Sequence, residues 1–181
     1  MEVRSLDLLK YKTILVLLLV VVLNLAVFIL LWQLNKFIHG DLYNYGLISS
    51  SEWINVVWHN NLSCWAFIIG ATAFTALAII PHYLIGKELE PGRFSVLTGF
   101  LLPTLALAYE GLGIFFLNQI DSIVRNSLYD FGIPLSFNWG IAYEPIVWTA
   151  YGLMIISLVA LIMPIIRGLG IIHVDIVNET A

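Results

Sequence analysis

The chain has 181 residues, of which 60% are hydrophobic and 11% charged, with a formal net charge of −4. Soluble domains carry about twice that share of charge, so the composition points to an integral membrane protein. The charge balance gives no basic footprint for nucleic acid, and the single cysteine, Cys64, excludes an intrachain disulfide framework.

The first predicted element follows a polar start with Arg4, Lys10 and Lys12. Residues 14–34 are apolar apart from Asn24 and Gln33. The run is too long for a signal-peptide core and has no small-residue cleavage site, so it reads as a spanning helix. Asn24, in mid-membrane, is expected to hydrogen-bond a neighbouring helix. Residues 33–60 read as a polar, aromatic connection. A short surface helix is expected from Ser51 to His59, capped by Ser50 or Ser51.

The second span is predicted at 61–85. Ala66, Gly70 and Ala73 recur at helical spacing, a pattern that lets another backbone approach closely in lipid. Lys87 to Arg93 then forms a charged turn. The third span, 95–118, contains one charged residue, Glu110. An ionised carboxylate in hydrocarbon costs roughly 2.5–3.5 kcal/mol on insertion scales. Glu110 must therefore be neutral, paired, near an interface, or turned toward protein or water. It shares a face with Ala106 and Gly113, which turns it toward other helices.

Residues 119–139 read as a second connection. The fourth span is predicted at 143–166, with Glu144-Pro145 in its first turn, where proline and an acid both suit the helix start. Arg167 and Gly168 are expected to end it. The alternating tail beyond leaves a strand-like arm and disorder both open.

The expected fold is all-α, one bundle of four transmembrane helices with no separate domain. Six of the eight basic residues fall on one side of it, at the N-terminus, the 87–93 turn and Arg167. The positive-inside rule then puts both termini in the cytoplasm of a multi-pass cell-membrane protein. All six tryptophans fall on or near the opposite, outer side, as headgroup anchors do.

Several polar side chains converge on the outer leaflet in this arrangement: His59, Asn60, Asn61, Glu110 and Glu144. They form a candidate pocket for an ion, a proton, a lipid headgroup or a divalent metal. A buried network that fixes helix register is the alternative. Haem does not suit the chain, because His59 and His82 stand about 34 Å apart on one helix. No nucleotide loop, zinc motif or nucleophile elbow is present, and no cofactor is specified.

The stretch Trp58 to Gly70, WHNNLSCWAFIIG, with Asn60-Asn61 leading into a glycine-bearing helix, resembles the opening of the stage II sporulation protein M family. Gly140-Ile-Ala-Tyr-Glu144-Pro, ahead of Ala150 and Gly152, is similar to that family's late segment, although the family's histidine is missing and the spacing is one residue longer. The family's middle Asn-Gly segment has no clear counterpart. The resemblance implies an envelope protein without demonstrated enzymatic activity that works beside other membrane proteins.

The primary expectation is a non-catalytic subunit or scaffold that contacts the bilayer and either other membrane subunits or further copies of itself. The rivals are an ion or proton transporter using Glu110 and a membrane enzyme with an outer-leaflet metal site.

Overall fold

The computed structural model describes residues 2–84, 93–130 and 137–179, with side chains described for 11–80, 100–130 and 139–162. The described residues are helical throughout except for one turn. Helix α1 (Glu2–Phe37) runs into a π-helical turn, Ile38–Tyr43. Helix α2 (Ser50–Trp65), a π-helical stretch (Ala66–Thr72) and α3 (Ala73–Leu84) form one rod. Helices α4 (Arg93–Asp130) and α5 (Phe137–Glu179) complete the chain. Four segments are long and apolar enough to cross a membrane: Tyr11–Tyr43, Ser50–Ile80, Phe100–Asp130 and Trp139–Ile162. The protein is an all-α, multi-pass membrane bundle.

The four rods pack as a closed ring, α1 on α5, α5 on α4, α4 on α2–α3 and α3 on α1. Along the ring, α1 and α4 are diagonal partners. The rods exceed the bilayer. The 38 residues of α4 make about 57 Å, against a hydrocarbon layer of about 30 Å. Outward-facing residues show where the excess lies. On α4, Phe100, Leu101, Leu112 and Phe115 are exposed, whereas beyond them the exposed positions are Asn118, Ser122, Asn126, Tyr129 and Asp130, all but Tyr129 strongly polar. On α1 the change falls at Trp32, followed by exposed Gln33, Lys36, His39 and Asp41. Above this level the rods form a head whose exposed positions on α1 and α4 are mostly polar.

The head corrects the reading of 33–60 and 119–139 as connections. Leu31, Leu34, Ile38 and Leu42 are buried at spacings of three, four and four, and so are Leu117, Ile120, Val124 and Leu128. Each set is an amphipathic stripe that closes a core with its neighbours. The segment 51–59 is thus the first part of α2 and not a separate surface helix. The true turn is short. Gly46, at φ 71°, lets its N–H reach Tyr43 O (2.9 Å) while Leu47 N–H reaches Leu42 O (2.8 Å), a Schellman closure. The cap of α2 is Ser49, and neither Ser50 nor Ser51. Its Oγ accepts from Glu52 N–H, and Glu52 Oε2 accepts from Ser49 N–H at 2.6 Å, a capping box.

At its other end, α5 begins at Phe137, so Glu144-Pro145 lies two turns inside it and not at its start. Its backbone stays helical past Arg167 and Gly168 to Glu179, so the tail is neither strand nor disordered arm. Lipid-exposed backbone must satisfy its own polar groups, which favours continuing a helix over ending it. The charged turn, apart from Arg93, lies outside the described residues.

The α2–α3 rod meets α4 through paired aromatic-on-glycine contacts. Phe67 lies over Gly113, where an added Cβ would meet its ring at 2.5 Å. Tyr109 lies over Gly70, where a Cβ would collide with the ring. Ser63 Oγ donates to Gly113 O at 2.9 Å beside them. The π stretch sits at this crossing and adds a residue to the turn. It rotates the following register, so Ala71, Thr75 and Ala78 face inward while Ala73 is exposed. Ala66, Gly70, Ala106 and Gly113 all face inward.

Candidate functional site

Glu110 occupies the axis of the ring. The face it shares with Ala106 and Gly113 points inward, and its side chain is 0% exposed. Two hydroxyl and amide donors meet on one of its oxygens. Ser157 Oγ, from α5, donates to Oε1 at 2.7 Å. Asn24 Nδ2, reaching across the diagonal from α1, donates to the same atom at 3.2 Å. The second Asn24 amide hydrogen goes to Val20 O at 3.0 Å. Two buried oxygens, Glu110 Oε2 and Asn24 Oδ1, have no partner.

The layer is deep. Asn24 lies eight residues before Trp32, Glu110 eight before Asn118, and Ser157 nine after Trp148. Each offset is about 12–14 Å of helical rise, near the middle of a hydrocarbon layer about 30 Å thick. Residues 14–32, 61–80, 100–109, 111–118 and 145–162 contain no Lys, Arg, Asp, Glu or His. The surrounding rods therefore place no cationic side chain at this depth to offset a negative charge.

The other predicted residues sit elsewhere. His59 is partly buried, its Nδ1 against Asn55 O at 2.8 Å and its ring 6.0 Å from that of Phe116. Asn60 is buried and donates weakly to Cys64 Sγ at 3.8 Å. Asn61 and Glu144 are exposed. The axial carboxylate is thus enclosed with Asn24 and Ser157, while Glu144 faces outward from α5. Among the described residues no three His, Cys, Asp or Glu side chains are grouped to hold a metal.

Two further constellations escaped the sequence reading, both in the head. Asp121 accepts from Arg125 Nε at 2.7 Å and from Trp139 Nε1 at 2.7 Å. Trp139, only 2% exposed, stacks between Phe37 and Tyr143. It is a core residue of the head, unlike Trp32, Trp65 and Trp148, which are exposed as interface anchors are. Across the head, Ser127 Oγ donates to Glu52 Oε1 at 2.7 Å, which ties α4 to the capping box of α2. The available signals were the 3-4-4 apolar stripes in the head and, for the axis, Ser157 as the one hydroxyl in 152–162. Comparison of the chain with protein-family models, with curated proteins and with solved structures found no match to any of them.

Proposed function

We propose that the chain is a non-catalytic subunit of a membrane complex, which it joins through the head. The observation that carries this reading is the outward face of α2. Ile54 (68% exposed) and Trp58 (63%) flank a cleft of about 390 Å³ that Trp53, Val57 and Asn61 also line. Exposed apolar and aromatic side chains around a cleft mark protein contact surfaces. This face begins above the exposed Trp65 and runs into the head, where hydrocarbon no longer accounts for apolar exposure. The positive-inside rule, applied to the basic residues, favours the outer side of the membrane for the head. The resemblance to the stage II sporulation protein M family supports a partner within the cell envelope.

Extraction from native membranes in mild detergent tests this. A stoichiometric unlike chain should co-purify and be lost on Ile54→Lys with Trp58→Ala, while the bundle stays folded. A self-contained species, indifferent to both substitutions, rejects the subunit reading.

A second reading, passage of protons or ions through the axis, draws on one observation, the unpartnered Oε2 of Glu110. Under it, Glu110→Gln abolishes flux in liposomes without unfolding the protein. Unchanged flux removes that role.

A further inference from the structure

We propose that the axial layer binds one proton, so that Glu110 is carried as the neutral acid with its Oε2 hydrogen shared with Asn24 Oδ1, directly or across one water. The layer holds fewer hydrogens than its buried acceptors need. Ser157 has one hydroxyl hydrogen, spent on Oε1. Asn24 has two amide hydrogens, spent on Oε1 and on Val20 O. The layer then has no donor left and two buried acceptors without partners, Oε2 and Oδ1. Exchanging the amide nitrogen and oxygen of Asn24 worsens the count, because it would set the oxygen against Val20 O and Oε1 together. The Val20 carbonyl thereby fixes the amide orientation.

One hydrogen on Oε2 turns an acceptor into a donor and satisfies both atoms. A metal cation does not fit the same vacancy of donors, since two free oxygens fall far short of the six or more that a calcium-like site assembles. Nor is there a countercharge for a carboxylate. No Lys, Arg or His lies on α1, α2–α3, α4 or α5 at this depth, within residues 14–32, 61–80, 100–118 and 145–162. The proposal rests on the layer's geometry and is independent of the subunit reading.

The test is infrared spectroscopy of the full chain in lipid nanodiscs at neutral pH, with and without 13C-labelled glutamate. A neutral-carboxyl C=O band is expected, displaced by the label and lost in Glu110→Gln. Asn24→Leu should move that band to higher wavenumber, because its donor loses an acceptor. Absence of the band in the wild type overturns the proposal, as does a band that persists in Glu110→Gln. Should Glu110→Gln fail to assemble, Ser157→Ala takes its place. A band indifferent to both Ser157→Ala and Asn24→Leu does not arise from this layer and overturns the proposal equally.

Discussion

In the head, the carboxylates of Glu52 and Asp121 each collect donors on a partly water-exposed surface. Glu52 accepts from the Ser49 backbone and from Ser127, and Asp121 from Trp139 and the guanidinium of Arg125. Each of these joins two rods; near the membrane centre, Glu110 joins three, but with two donors crowded on one oxygen and no cation at its level. Water can replace any donor that the head loses. In the axial layer bulk water is not at hand, so a lost partner must be made up from within the bundle. The same side-chain chemistry is therefore exchangeable at one level and committed at the other.

The largest loss should come where neither water nor a rotamer can give way. Gly113→Leu drives a side chain into the Phe67 ring at the α2–α4 crossing. Overpacking of this kind costs about 1–3 kcal/mol, occasionally more, and the upper end is expected because the Phe67 ring is itself fully buried. Reversible unfolding in mixed micelles measures it. A near-wild-type midpoint would mean that the crossing is looser than the contact implies.

Glu110→Leu ranks next. It strands one hydrogen of Asn24 and that of Ser157 in a buried layer, at roughly 1–3 kcal/mol. Ser157 can recover part of this by turning to the carbonyl four residues back. The sharper version removes every member at once. Asn24→Leu, Glu110→Leu and Ser157→Ala together should unfold closer to wild type than Glu110→Leu alone, since an apolar layer has nothing left to satisfy. If the triple variant is instead the least stable, the layer contributes more than mutual satisfaction of its own members.

How far the sequence disclosed these two levels differs for a physical reason. Lipid forces long apolar runs, so all four spans are legible, and the face shared by Ala106, Glu110 and Gly113 aims the carboxylate inward without any tertiary knowledge. Ser157 was not legible as its partner, because the register of α5 against α4 is set by no local pattern. In the head, polar residues interleaved with apolar ones look like loop. The stripes Leu31–Leu42 and Leu117–Leu128 were present all the same, running unbroken from the membrane into water. Glu144-Pro145 misled for a related reason. Proline suits a first turn, yet it is also tolerated inside a membrane-protein helix, where waters and neighbouring groups take up the freed carbonyl.

A smaller effect separates the capping box from the rest of the head. Ser49→Ala removes the oxygen that accepts Glu52 N–H, which costs typically ~1 kcal/mol at an N-cap. Because Glu52 also receives Ser127, the loss should reach the α2–α4 contact. Amide exchange near Glu52 and Ser127 should therefore quicken together, while exchange around Glu110 stays unchanged. Faster exchange in both layers would show that head and membrane core unfold as one unit.

The smallest effect belongs to Arg125. Its contact with Asp121 spans one helical turn, with the two side chains 40% and 21% exposed. Exposed pairs of that spacing contribute about 0.3–0.5 kcal/mol and are screened by salt. Arg125→Gln should therefore lower stability by no more than about 0.5 kcal/mol at low ionic strength, and by less as salt is added. Trp139 keeps its bond to Asp121, so the stacked core with Phe37 and Tyr143 holds and tryptophan emission should not shift. A loss that persists undiminished in high salt would place the Arg125 pair outside the reach of screening ions. The head would then share the committed character of the Glu110 layer, and the contrast between the two levels would not hold.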